Sequence, residues 1–227
     1  MPASSESRII YPLSRNLSWN FAGQILAKFS LLLFHILFAN LVGVKGYGEF
    51  SFVFVAGVII LQPPLDMGLN QLITKWVSRG NTEVIRNSFQ IKSRVSVVLL
   101  PLVILLGWWH EIHPILLGTI LIYFLINTIQ QSLFGILRGL EDLRPESITV
   151  ALQNLLALAI LWIFVNHEIN EAWVGSLVLM LTRCAGTILV TGIIWKKYLL
   201  KLKNYENSKK LQSTSKPVSY THLRAHE

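Results

Sequence analysis

The 227-residue sequence is short of charge, of cysteine and of polar stretches long enough to fold apart from its apolar runs. Only 14% of residues are charged against 52% apolar, and the charges cluster between long hydrophobic runs, the layout of a polytopic membrane protein. That excludes a sizeable soluble domain. The single cysteine, Cys184, lies inside an apolar run, which excludes a disulfide framework and a cysteine-based metal site and leaves a packing role. The net charge of +8 does not point to nucleic acid, because the basic residues fall in short segments between apolar runs rather than on one face. Residues 1–15 lack the short apolar core and small-residue cleavage site of a secretory signal, so the first span is expected to remain as a signal-anchor.

The expected fold is all-α, a polytopic bundle of six transmembrane helices at 17–42, 50–74, 95–109, 115–137, 148–165 and 172–195. A Gly-rich turn, Val42-Gly43-Val44-Lys45-Gly46-Tyr47-Gly48, separates the first two. Pro63 and Pro64 are expected to break or kink the second, and Asp66 beyond them either caps the resumed helix or partners a cation. Lys and Arg outside the spans number sixteen in the N-terminus, 75–94, 138–145 and 196–216, against Lys45 alone in the opposite turns. The positive-inside rule then puts both ends in the cytoplasm and the turns 108–114 and 166–171 outside. Trp108 and Trp109 read as interface anchors. His110 and His113 have neither the spacing of a zinc helix nor a nearby third ligand, so no metal is expected there.

Polar residues inside the spans are arranged in stripes. Asn16, Asn20, Gln24, Lys28 and His35 fall within an arc of about 120° on the first span. The amides alone suit helix packing through hydrogen bonds. Lys28 changes the reading: an ionised Lys at mid-helix costs about 2.5–3.5 kcal/mol on insertion scales, and its depth of about 16 Å is beyond easy snorkelling, so the stripe is expected to line a cavity. On the fourth span Tyr123, Asn127, Gln130, Gln131 and Arg138 share a face, and Gly135 and Gly139 form a small-x-x-x-small pair open to close helix approach. The sixth span carries Arg183 at its middle, with Ser176, Thr187 and Thr191 on the same face. Lys28 and Arg183 are two mid-membrane cations with no carboxylate at comparable depth, so an anion would complete the site. The competing reading has Arg183 bonded to backbone carbonyls or to an acid elsewhere.

The final residues, 217–227, back-translate codon by codon into a string resembling a transposase end and sequencing adapter. They are expected to be a translated artefact, so that residues 1–216 are the native part and the natural chain continues beyond Lys216.

Four motifs carry a family resemblance. Arg15-Asn16-Leu17-Ser18-Trp19-Asn20, then Leu41-Val42-Gly43-x-x-Gly46-Tyr47-Gly48, then Leu65-Asp66-Met67-Gly68-Leu69-Asn70 resemble the opening of bacterial lipid-linked oligosaccharide flippases, the polysaccharide biosynthesis or export proteins. Phe134-Gly135-Ile136-Leu137-Arg138-Gly139-Leu140-Glu141 is similar to their fourth-span exit. These proteins belong to the multidrug, oligosaccharidyl-lipid and polysaccharide exporter superfamily. The resemblance implies the N-terminal half of a transporter of twelve to fourteen spans, in which two bundles rock about a central cavity, with the missing C-terminal half as its partner. It implies a bacterial inner-membrane location and no enzymatic step or cofactor. The implied substrate is an oligosaccharide on a lipid diphosphate, with Lys28 and Arg183 meeting the diphosphate and Asn20, Gln24, Asn127 and Gln131 meeting sugar hydroxyls. A multidrug or cation exporter would need an intramembrane acid, which the first span lacks. A membrane glycan polymerase or ligase would need catalytic carboxylates or histidines on a larger outer loop.

Overall fold

Glycine and proline set where the helices stop. The computed structural model describes residues 7–196 apart from 82 and 168, with side chains from Asn20 onward. The adapter-like 217–227, the start of the chain at 1–6 and the basic exit at Lys197, Lys201 and Lys203 lie outside them, as does the side chain of Asn16. All regular elements among the described residues are helical: α1 (Ser7–Ile60), α2 (Gln62–Asp66), α3 (Leu69–Val77), α4 (Glu83–Trp109), α5 (Pro114–Gly139), α6 (Arg144–Asn166) and α7 (Ala172–Ile194). Met1–Thr191 form one unit; of a second, beginning at Gly192, only the helical stretch to residue 196 is described.

Among the described residues five helices are long and apolar enough to cross a membrane, against six expected spans: Asn20–Ile60 within α1, then α4, α5, α6 and α7. The difference lies in α1, which joins the expected first and second spans. It is not straight, because Gly43 adopts φ 71° and ψ 177°, outside the helical region. In a continuous helix residues 35 and 47 would be about 18 Å apart. Instead the Tyr47 hydroxyl lies 3.3 Å from His35 Nδ1, and the Phe38 and Phe50 ring centroids are 5.1 Å apart. The chain therefore turns back sharply at Gly43. What the sequence presents as a Gly-rich loop is a single left-handed residue between two helical arms.

Within the expected span 50–74 the helix breaks at the prolines, as expected. The second arm ends at Ile60, Pro63 and Pro64 sit in the first turn of α2 where a missing N–H costs nothing, and Met67 (φ 41°) and Gly68 (φ 71°) turn the chain into α3. The third expected span, 95–109, begins earlier, because α4 is helical from Glu83. The basic stretch ahead of it is thus helix for most of its length, and one of its basic residues, Lys92, is buried.

The core joins both arms of α1 to α5, α6 and α7 through Phe34, Phe38, Phe50, Leu116, Phe124, Leu161 and Val178. A smaller cluster, Ile73, Val77 and Ile136, fastens α3 to α5. There the Gly135 and Gly139 pair performs as expected: a Cβ on Gly139 would come within 2.8 Å of Thr74 O and of Val77 Cβ, and Thr74 Oγ1 donates to Gly135 O at 3.1 Å. Large apolar side chains face outward along whole helices, such as Phe21 and Phe29 on α1 and Val97, Val98 and Leu105 on α4. In water such surfaces would aggregate; in lipid they are the expected exterior.

The turns segregate to two ends. Gly46 lies against Ala172 and the Phe52 ring against His110, which gathers the turns near 43–48, 108–114 and 166–171 at one end. At the other, Ser147 Oγ donates to Asn20 Oδ1 (2.8 Å), and Gly139 packs on Thr74 and Val77.

Candidate functional site

Helix α5 carries the polar arc, and two cations approach it from different elements. At about 100° per residue, Gln130 and Ser132 lie about 200° apart around α5 on the side that passes through Asn127 and Gln131. Arg183 of α7 meets the Gln130 edge and Lys92 of α4 meets the Ser132 edge.

Arg183 is half-buried and held by neutral acceptors. Its Nη1 donates to Gln130 Oε1 (3.1 Å) and Gln153 Oε1 (3.4 Å), its Nη2 to the Tyr123 hydroxyl (3.0 Å), and its Cζ lies 5.2 Å from the Tyr123 ring centroid. Among the described residues it forms no ion pair. Because guanidinium has no acceptor, both glutamines must turn their oxygens to it. Their buried Nε2 groups then face no acceptor among the described residues. Gln153 lies over the bare surface of Gly186, where any Cβ would overlap its Nε2. The hydroxyls expected beside Arg183 are spent locally: Thr187 and Thr191 donate to carbonyls one turn back on α7, and Ser176 pairs with Thr119.

Lys92 is 4% exposed, and its Nζ donates to Asn70 Oδ1 (2.8 Å) and Ser132 Oγ (2.7 Å). Beside it opens a cavity of about 70 Å³ lined by Gln62, Asp66, Asn70, Lys92, Asn127, Thr128 and Gln131. Two expected site residues, Asn127 and Gln131, are therefore brought together, with a cation the sequence reading left among topological charges. Of the two roles weighed for Asp66, the contact at the start of the resumed helix is made, and no ion pair to a cation forms among the described residues. Its Oδ1 accepts the Asn70 N–H at 3.4 Å, near the start of α3, and it lines the cavity beside Lys92. Among the described residues Arg183 makes no ion pair, whereas a carboxylate, Asp66, lines the cavity beside Lys92.

The first-span stripe is divided. Asn20 is engaged by Ser147, and Ala27 O accepts from Asn154 Nδ2 (2.7 Å), so this side of α1 packs on α6. Gln24 is half-buried. Lys28 is exposed, on the side that also presents Phe21, Ile25 and Leu32, and makes no hydrogen bond or ion pair among the described residues. It does not touch Arg183. Arg138, expected on the α5 polar face, is instead clamped by both oxygens of Glu146 across the turn into α6.

Lys92 and Gln153 are the residues that the sequence reading did not single out. For Lys92 a signal existed: Ser88, Lys92, Val95, Leu99 and Val103 recur at helical spacing, and that face is buried or half-buried.

A family model for polysaccharide biosynthesis proteins matches residues 13–222. No curated protein and no solved structure matches the chain significantly.

Proposed function

The chain belongs to the polysaccharide biosynthesis protein family, and from that premise we propose that it is the N-terminal six-span bundle of a flippase. The two arms of α1 count as separate spans in this reading, each near the 20 residues that a bilayer requires. The substrate is a lipid-diphosphate-linked oligosaccharide, moved from the cytoplasmic to the outer leaflet of a bacterial inner membrane by alternating access. Both ends of the fragment are cytoplasmic, a second bundle supplied by the rest of the chain completes the cavity, and no covalent chemistry is performed.

The observation that carries this reading is Arg183, a cation within an apolar helix, held by two glutamines and a tyrosine and paired with no carboxylate among the described residues. Neutral acceptors orient a guanidinium without cancelling its charge, which leaves it available to the oxygens of a diphosphate. Lys28, with no partner among the described residues, supplies the second charge in this reading, and Asn20, Gln24, Asn127 and Gln131 supply polar contacts to the glycan. A cation exporter ranks second. Its carboxylate would be Asp66, but Lys92 already stands in that cavity.

The test uses the full-length protein in a strain lacking its own flippase, scoring surface glycan against membrane abundance. Arg183→Gln and Lys28→Gln should each lose glycan while keeping abundance. Normal glycan in a well-expressed double variant would remove the diphosphate site from this bundle.

A further inference from the structure

The cavity beside Lys92 has a charge balance that the diphosphate site lacks. It holds one cation, one carboxylate and otherwise amides and a hydroxyl, so its sum of formal charge is zero while its lining offers both donors and acceptors. An anion entering would meet Asp66, and a cation would meet Lys92. A group that both donates and accepts at each atom, without net charge, meets no such opposition, and sugar hydroxyls are that chemistry. The volume of about 70 Å³ admits one edge of a pyranose rather than a whole ring.

We propose that this cavity is a specificity pocket for an uncharged glycosyl residue, in which Asp66 and Lys92 together reject sugars of either charge. Asn127 and Gln131 bridge it to the arc that leads to Arg183. The inference rests on the flippase reading for the origin of the sugar, but its charge logic can be tested apart from transport. Lys92 is fixed by Asn70 and Ser132, so the positive group cannot swing away when a ligand enters. Asp66 is what keeps that charge from attracting acidic sugars.

The experiment measures saturation-transfer NMR signals for methyl β-glucopyranoside, glucuronate and glucosamine on the purified full-length protein. The glucoside should bind at least about tenfold better than either charged sugar, as one opposed charge pair can impose. Asp66→Asn should shift the preference toward glucuronate by about tenfold. Asn127→Asp should shift it the opposite way, toward glucosamine, and serves where Asp66→Asn fails to fold. Glucuronate binding as well as glucoside to the unaltered protein, no sugar binding at all, or an unchanged preference in either folded variant overturns the proposal. If the pocket fails while Arg183→Gln still abolishes surface glycan, the flippase reading stands alone. If the preferences shift as expected while Arg183→Gln transports normally, the pocket stands without the diphosphate site.

Discussion

On one side of α5, Lys92 is almost wholly enclosed, with a carboxylate lining the same cavity; on the other, Arg183 is half-buried among neutral oxygens. The difference separates two uses of a cation in a low-dielectric interior. A charge bonded to two separate helices holds them together, and here Lys92 ties α4 to Asn70 of α3 and Ser132 of α5. A charge oriented by neutral groups keeps its field, and the cost of burying it is offset only when an anion arrives. Substitutions at the two positions should therefore fail in different ways. Arg183→Gln should lower transport by about a hundredfold, since losing one partner of a desolvated ionic contact costs about 3 kcal/mol, with abundance little changed. Equal loss of abundance and transport would make Arg183 a second Lys92.

Lys92→Ala should do the reverse. It takes a charged partner from Asn70 and Ser132, leaves the Asp66 carboxylate without a cation in its cavity and opens a void, which together cost about 2–3 kcal/mol of stability. Membrane abundance and the thermal midpoint of the purified protein should fall, while transport per molecule changes less. Asp66→Asn combined with Lys92→Met should recover part of the loss, because the unmatched carboxylate is then gone. Unaltered stability in Lys92→Ala would show that its hydrogen bonds contribute nothing and would erase the contrast with Arg183.

The two sites were not equally legible. Arg183 stands alone within an apolar run, so no surface explanation competes for it. Lys92 stands two residues before Arg94 and six after Arg86, in a stretch whose basic residues read as a topological signal, and its partners lie 22 and 40 residues away in sequence. Burial of that kind is set by tertiary packing, which composition does not carry. Gly135 and Gly139 were legible as a contact surface because small residues four apart have one main use on an apolar helix. The turn at Gly43 was legible in place but not in form: glycine announces a break, whereas the Tyr47 and Phe50 contacts that fold the arms together are long-range. Gln153 was hidden for another reason, since an amide pair, Gln153-Asn154, in an apolar run is ordinary until Gly186 is seen beneath Gln153.

That packing gives a prediction that sharpens the Arg183 side. Gly186→Ala would drive a methyl group into Gln153 Nε2, and displacing the amide takes away one of the oxygens that orient the guanidinium. The expected cost is about 1–2 kcal/mol of stability with transport reduced by about tenfold. Gln153→Ala in the same background should restore the stability by making room, without restoring transport. Recovery of both would show that Gln153 only fills space.

The smallest effect is expected at Lys28. It is exposed on α1 and held by no partner among the described residues, so it lacks the orientation that Gln130 and Tyr123 give Arg183. A flexible ammonium contributes charge without geometry, and Lys28→Gln should therefore lower transport by about tenfold rather than a hundredfold. Insertion should be unimpaired or improved, because an unpaired charge in a span is itself unfavourable by about 2.5–3.5 kcal/mol. Lys28→Arg should keep most activity, and Lys28→Glu should be the worst of the three, since it reverses the field felt by an anion. The ordering Arg, Gln, Glu at constant abundance is the signature of a charge acting on a ligand. A charge that merely snorkels among lipid headgroups would leave transport indifferent to all three, and surface glycan normalised to membrane protein separates the two outcomes.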